Sequence, residues 1–171
     1  MSLFKTWALR GVAAGFVAAW VGGAWGQMMP SPIWTDAERI AVFCFVEPDP
    51  SLPIGAFEAA LCGRAAELLR ARVGNVLPVV EIGIAEAAAT FSPGTVVALV
   101  HARVQGADLV VAGAAGLIVT LTARLMRNHA MLHSAAFFSA PPAAATLANL
   151  EQLSALEATL ARLIAELLAR G

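Results

Sequence analysis

The first hydrophobic pattern along the chain is an uncharged apolar run near its amino terminus. Lys5 and Arg10 precede this run, which extends from Gly11 to Trp25, and small residues lie one and three positions before Gln27. A basic start, an apolar centre and small residues at a cleavage point are typical of a secretory signal peptide, which we predict over residues 1–26. This run of 15 residues is shorter than the roughly 20 apolar residues that a membrane span needs, so a cleaved signal is favoured and an uncleaved membrane anchor is the alternative. Contact with the membrane is expected only through this segment, if it is uncleaved.

The next segments alternate between strand and helix patterns. An extended leader over residues 27–37 precedes an apolar run rich in β-branched and aromatic residues, Glu38–Val46, which predicts a strand. Its unbroken apolar character favours a strand covered on both faces, as in the interior of α/β sheets. Apolar residues three and four positions apart then predict a helix over Ala56–Val73. A short strand over Val76–Ile82 and a short helix over Ile84–Phe91 follow.

The stretch Thr95–Gln105 fits two structures. Its β-branched residues favour a strand, because such side chains lose rotamer freedom in a helix. The Ser-Pro-Gly sequence that begins at Ser92 and the glycine at Gly106 are instead typical of helix boundaries. On these boundary residues we expect a helix.

Three consecutive strands are predicted in the second half of the chain: Ala107–Ala112, Leu117–Met126 and Met131–Ser139. Turns at Gly113–Gly116 and Arg127–His129 would connect them into an antiparallel meander. In the middle strand, apolar residues alternate with threonine and arginine, which is the pattern of a strand with one face wetter than the other.

A long helical pattern follows Pro141 and Pro142 and predicts a helix over Ala143–Arg170. At 1.5 Å per residue this helix would be roughly 40 Å long. A stripe of leucines lies on one face, and three of them are expected to contact either the core of the domain or a second chain in a homodimer: Leu160, Leu163 and Leu167.

These patterns together predict one domain of the α/β (α+β) class over residues 38–171. We expect a mixed sheet of about five strands with a strand–helix start, a three-strand antiparallel meander and a long C-terminal helix over residues 143–170. A length of 171 residues agrees with a single domain.

The composition narrows the range of functions. The chain is 59% hydrophobic and 13% charged, which excludes a disordered protein. Lys5 is the only lysine, and beyond residue 26 the acidic residues outnumber the arginines. Because binding to phosphate backbones needs clustered Lys or Arg side chains, we do not expect a nucleic-acid partner.

Cys44 and Cys62 are the two cysteines of the chain. In an exported protein they are candidates for a disulfide. The predicted strand and helix that carry them would lie in stacked layers about 10 Å apart, whereas the Cα atoms of a disulfide lie within about 7 Å. This distance favours two buried free thiols, with the disulfide as the alternative.

Residues suited to metal binding or catalysis are few. His129 and His133 have the spacing of two metal ligands on a helix, but the predicted turn and strand separate them, so a metal site there is a minor alternative. The chain lacks a G-x-S-x-G sequence and a phosphate-binding G-x-x-x-x-G-K sequence, and no cofactor is expected. The alternative to a non-catalytic protein is a carboxylate site at the strand ends: Glu47, Asp49 and Glu81.

Three segments carry a resemblance to a known family. Arg39–Phe45 (RIAVFCF) is an opening hydrophobic strand that ends in an aromatic residue, and Gly106–Gly113 (GADLVVAG) looks like a helix end followed by a strand. Leu117–Phe138, with Thr122–Leu125 (TARL), looks like the hairpin that comes next. In this order they resemble the TolB amino-terminal-like α/β domains, which also occur in curli-assembly and other envelope proteins. The resemblance implies a domain that binds partners in envelope assemblies and does no chemistry itself.

The sequence therefore predicts an exported, periplasmic, non-catalytic envelope protein that acts as a protein-interaction or assembly module, with another envelope protein as its partner. The alternative function is a periplasmic small-ligand-binding protein or a hydrolase that uses the strand-end carboxylates.

Overall fold

The structure, a computed structural model, describes residues 33–47, 51–83, 86, 92–111, 114–129 and 134–170. The signal segment predicted over residues 1–26 and all but Glu86 of the helix predicted over residues 84–91 lie outside the described residues. The described residues form six strands and two helices: β1 Arg39–Val46, α1 Ile54–Val73, β2 Val79–Glu81, β3 Thr95–Val111, β4 Ala114–His129, β5 Ser134–Ser139, β6 Ala143–Leu147 and α2 Ser154–Arg170.

The strands form one mixed sheet in the order β2-β1-β3-β4-β5, with β6 also paired to β4. β1 is parallel to β2 and β3, whereas β4 is antiparallel to β3, β5 and β6. Parallel neighbours need a crossover connection, and α1 provides it between β1 and β2. The predicted fold class, with its strand–helix start, mixed sheet and C-terminal helix, is confirmed.

Both helices of the described residues pack on the same face of the sheet. α1 contacts β1 and β2, α2 contacts β4, β5 and β6, and the helices contact each other. Because side chains alternate between the two faces of a strand, every second residue of each strand points into this layer. The three leucines predicted to contact the core or a second chain are each 1% exposed inside this core, so the folded domain itself covers them: Leu160, Leu163 and Leu167.

The exposed sides of the helices are joined by Arg64. Its guanidinium donates to Glu67 in α1 and to Glu157 in α2. These hydrogen bonds, first that to Glu67 and then that to Glu157, raise the pKa of Arg64 above its ordinary value. Exposed ion pairs of this kind contribute little to stability.

The helix expected over Thr95–Gln105 is wrong. Residues from Thr95 to Val111 form the single strand β3, which includes Ala107–Val111 of the separate strand predicted over Ala107–Ala112. The whole of β1 pairs with Thr95–Ala102, so β3 gives β1 its second neighbour. Gly106 lies inside the strand and does not end a helix.

The turns predicted at Arg127–His129 and Gly113–Gly116 also differ from the structure. β4 continues through His129, and Ala114 already pairs with Val111 at the start of the strand. The Arg127 side chain is 4% exposed and donates to the carbonyl oxygens of Pro93, at 2.6 Å, of Ile33, at 2.9 Å, and of Thr35. A turn prediction that relied on polar residues fails here because the polar side chain is buried with its own acceptors.

The helix predicted over residues 143–170 is wrong in its first part. Ala143–Leu147 forms strand β6, and α2 spans only Ser154–Arg170, which is about 25 Å. β5 and β6 pair with successive parts of β4. Ser139 and Ala143 are four residues apart, whereas their partners in β4, Arg124 and Leu121, are three residues apart. This extra residue is a β-bulge, and it coincides with Pro141 and Pro142.

The end of the predicted leader belongs to the packed domain. Residues 33–36 form a turn, and Ile33 is fully buried in the core. Asp36 has a φ of 57°, a left-handed conformation that aspartate tolerates better than most residues. Neither α1 nor α2 is long and apolar enough to cross a membrane.

Candidate functional site

The face of the sheet opposite α1 and α2 carries no helix among the described residues. It is formed by the odd-numbered residues of β1 and β3 and the even-numbered residues of β4, as the register shows. Near the amino-terminal end of β1 the side chains of this helix-free face are buried, since Ala41 is 0% and Val97 5% exposed. It opens toward the other end of the strand, where Phe45 is 40% exposed. The interpretation of β1 as covered on both faces therefore holds at Ala41 and fails at Phe45.

The exposed end of this face forms one cluster of aromatic, apolar and charged side chains, which we name the Phe45 patch: Phe43, Phe45, Glu47, Leu99, His101 and Arg103. The register pairs Phe45 with His101, and their rings stack with centroids 5.6 Å apart and an angle of 14° between the planes. The Glu47 carboxylate lies 3.0 Å from Nε of Arg103 and 3.7 Å from Nε2 of His101. These contacts hold an exposed aromatic ring and an exposed guanidinium side by side.

The Phe45 patch lies at the base of a protruding hairpin. The N–H of Glu47 donates to the carbonyl of Ala102 at 2.9 Å, just past the last register pair of β1 and β3. β3 then continues to Val111, paired with β4 from Ala114 onward. The hairpin extends the helix-free face beyond the end of β1.

A groove adjoins the patch on the other side of β1. β2 pairs with β1 only as far as Glu81, opposite Val42, so the second half of β1 is left beside an open space. This strand-end groove has a volume of about 460 Å³ and lies between β1 and the first turns of α1. Its lining includes residues from both sides and from the end of β2: Phe45, Gly55, Glu58, Cys62, Ile82 and Gly83.

A disulfide between Cys44 and Cys62 lines this groove, with Cα atoms 5.5 Å apart. The expectation of two free thiols is therefore wrong. Ala65 and Ala66, three and four residues after Cys62, are fully buried on the inner face of α1. The bridge fixes the middle of α1 to the end of β1.

The structure separates two of the three predicted carboxylates. Glu47 and Glu81 lie on opposite faces of the sheet, about 16 Å apart along the strand direction, since Glu81 is opposite Val42. Glu47 pairs with Arg103, and Glu81 pairs with Arg70 at 3.1 Å. Asp49 lies outside the described residues. A hydrolytic site that needs both Glu47 and Glu81 has no geometric basis.

The metal site at His129 and His133 stays a minor alternative prediction. His129 is the last residue of β4, opposite Ser134, and not part of a turn, whereas His133 lies outside the described residues. Among the residues that the structure describes, no group of three His, Cys, Asp or Glu side chains is placed to hold a metal ion.

Sequence reasoning missed His101, Arg103 and Glu58. The helix predicted over Thr95–Gln105 contains His101 and Arg103, and a helix there does not place them beside Phe45 and Glu47. An alternating pattern over residues 100–105 is the signal that was available. Glu58 accepts a hydrogen bond from the N–H of Val46 at 2.9 Å, a contact that no spacing along the chain reveals.

No protein-family model matches the chain, and no curated protein matches it. Among solved structures, the chain is similar to the hypothetical protein CT253 from Chlamydia trachomatis, with 13% identity and a TM-score of 0.42 over 78% of this chain and 95% of that one. It is also similar to PelC from Paraburkholderia phytofirmans, a dodecamer, with 17% identity and a TM-score of 0.41 over 78% of this chain and 88% of that one. At TM-scores this low, the similarities carry no argument about the function of this chain.

Proposed function

We propose that this protein is an exported envelope protein that acts as a protein-interaction or assembly module, and that the Phe45 patch is its contact surface. The observation that carries the proposal is the one-sided fold. Both described helices cover one face of the sheet, and the other face exposes Phe45 at 40% beside a fixed arginine. An exposed aromatic side chain next to an arginine is the composition of interaction hot spots.

The charges of the helix-free face support a protein partner. Arg39, Arg103 and Arg124 are exposed on this face, and Glu47 pairs with Arg103. The face is therefore more basic than the rest of the domain. A basic surface with an apolar centre suits an acidic partner surface, because charges at the rim guide association while the apolar centre supplies affinity.

Export is supported by two independent features. The pattern of residues 1–26 is that of a signal peptide. The bridge between Cys44 and Cys62 needs an oxidising compartment to form and persist. The resemblance to TolB amino-terminal-like domains points to the same compartment.

The interaction is tested by photo-crosslinking in intact cells. A photoreactive phenylalanine analogue replaces Gln105, which is exposed beside the patch on β3, or, as a matched control, Arg72, which is exposed on α1. We expect crosslinks to an envelope protein from position 105 and not from position 72, and we expect Phe45→Ser to weaken them. Equal crosslinking from both positions, or crosslinks only to cytosolic proteins, would contradict the proposal.

Export is tested by the redox state of the cysteines in cells. Alkylation of free thiols, followed by electrophoresis, is expected to show Cys44 and Cys62 protected in the full chain. Deletion of residues 2–26 is expected to leave both thiols free. Free thiols in the full chain would contradict export to an oxidising compartment.

A further inference from the structure

In the part of the chain that the structure describes, β2 ends before the second half of β1, and main-chain groups there have no neighbouring strand. The ladder between the two strands finishes where the N–H of Ile82 donates to the carbonyl of Val42 at 3.0 Å. Hydrogen-bonding groups of a strand alternate in direction, so those of Cys44 and Val46 point to the same side as those of Val42. The N–H of Val46 confirms this direction, since it meets the carboxylate of Glu58. Among the described residues, no strand lies beside β1 at Cys44.

These main-chain groups face the strand-end groove. Its volume of about 460 Å³ is within the range of ligand-binding clefts. Gly55 and Gly83 leave space on two sides, since a Cβ at either position would touch nothing within 4 Å. The disulfide keeps α1 and β1 apart at a fixed distance. The groove is therefore a preformed slot along an open strand edge.

Among the described residues that line the slot, the charged ones are acidic: Glu58 and Glu81. Arg70 pairs with one oxygen of Glu81, whereas the described contacts of Glu58 include no arginine. The first turn of α1 contains no acidic residue, and Glu58 lies one residue beyond it. Among the described residues that line the slot, no side chain offers a positive charge to Glu58.

We propose that the strand-end groove binds an extended peptide segment of a partner protein, which pairs its main chain with β1 at Cys44 and places a lysine or arginine side chain against Glu58. Addition of a strand to an open edge gives affinity through main-chain hydrogen bonds, and a side-chain contact gives specificity. The proposal deepens the proposed function and depends on it only for the existence of a protein partner. The groove and the Phe45 patch meet at Phe45, so one partner can contact both.

Two capped pentapeptides test the charge preference: Val-Lys-Val-Lys-Val and Val-Glu-Val-Glu-Val, each acetylated and amidated. Each is titrated into the exported chain with its disulfide intact, and amide chemical shifts are followed by NMR. We expect saturable shifts at Cys44, Val46 and Gly83 with the lysine peptide and none with the glutamate peptide.

Two variants locate the cation contact. Glu58→Gln keeps an oxygen for the N–H of Val46 and removes the charge, and it is expected to weaken binding about three- to fivefold, the effect of one exposed ion pair. Glu151→Gln, on the exposed loop before α2, is the matched control and is expected to leave binding unchanged. Equal effects of the two variants would show that only general attraction to an acidic protein is measured, and would overturn the proposal.

Main-chain pairing is tested with two further lysine peptides that are N-methylated at alternate amides. One is methylated at the amides that face β1 and the other at the amides that face away. We expect the peptide that is methylated at the amides facing β1 to bind about tenfold or more weakly, and the other peptide to keep its affinity. Equal binding of both peptides would exclude strand addition. Slow hydrogen exchange of the Cys44 amide before any peptide is added would show that the edge is already paired, and would also overturn the proposal.

The two proposals fail separately. Loss of crosslinking from position 105 with intact peptide binding would refute the patch as the contact surface and keep the groove. Crosslinking at the patch without peptide binding would refute the groove and keep the patch.

Discussion

At the scale of single residues, Arg127 shows how a buried cation connects distant parts of this chain. All three acceptors described for its guanidinium are main-chain carbonyls, at Pro93, Ile33 and Thr35. Hydrogen bonds from a charged donor are stronger than those between neutral groups. The side chain therefore ties the end of β4 to the turn before β1 and to the loop before β3.

Replacement of Arg127 by methionine is expected to lower the free energy of unfolding by about 2–4 kcal/mol, because buried carbonyls lose their charged donor. Arg124→Met is the matched control. Arg124 lies three residues earlier on the other, exposed face, so its loss is expected to change stability by less than about 0.5 kcal/mol. Urea unfolding followed by circular dichroism measures both. Equal losses would show that Arg127 has no special structural role.

The disulfide has a separate prediction. Replacement of both Cys44 and Cys62 by alanine is expected to lower the free energy of unfolding by about 3 kcal/mol, since the bridge joins residues 18 positions apart. A reductant is expected to lower the urea midpoint of the native chain and leave that of the double variant unchanged. A midpoint that falls equally in both proteins would rule out the bridge as the cause.

The bridge was only the alternative prediction, because the expectation of free thiols relied on an average distance between layers. That average, about 10 Å, belongs to contacts between large side chains. Along α1 the buried residues include small side chains, Ala65 and Ala66, and large ones, Phe57 and Leu61. The Cα atoms of Cys44 and Cys62 are 5.5 Å apart, and no spacing along the chain specifies that local distance.

At the scale of elements, the errors concern segments whose local pattern and final neighbours disagree. Thr95–Gln105 has residues typical of helix boundaries at both ends, yet it lies between β1 and β4, where its β-branched residues fit a central strand. Ala143–Leu147 is rich in alanine, a strong helix former, yet it forms an edge strand on β4. In both segments, pairing with a strand distant in sequence decides the structure, and that information is absent from the local pattern.

Elements with a strong period of their own were predicted well. The alternation of Val119, Leu121 and Ala123 with polar residues gave the correct inner face of β4, where all three are fully buried. The leucine stripe of α2 also lies where its period places it. Whether that stripe faces the core or a second chain could not be decided from the period alone.

The role of the stripe is tested with Leu160→Ala. Because Leu160 is 1% exposed within the domain, the variant is expected to lose about 2–5 kcal/mol of stability from a core cavity. The loss should not depend on protein concentration. Arg162→Ala, exposed on the same helix, is the control and is expected to be nearly neutral. A Leu160→Ala protein of full stability that changes its oligomeric state in sedimentation would instead place the stripe in an interface.

At the scale of the whole molecule, the fold has two layers, and both described helices pack against one face of the sheet. The sequence could predict the layers, because the helix and strand periods are clear. It could not predict the open face, because the apolar run from Ile40 to Val46 resembles a strand buried on both sides. Only the placement of α1 and α2 together shows that Phe45 is left exposed. The candidate site therefore follows from the arrangement of elements, and its residues carry no motif.

The central claim, that the Phe45 patch is a contact surface in the cell envelope, is tested most directly by hydroxyl-radical footprinting. Oxidation of Phe45 is measured in intact envelopes and in the purified chain, with Val76, which is 75% exposed away from the patch, as the internal reference. We predict that oxidation of Phe45 falls severalfold in the envelope while that of Val76 stays the same. Equal oxidation of Phe45 in both samples would contradict the account.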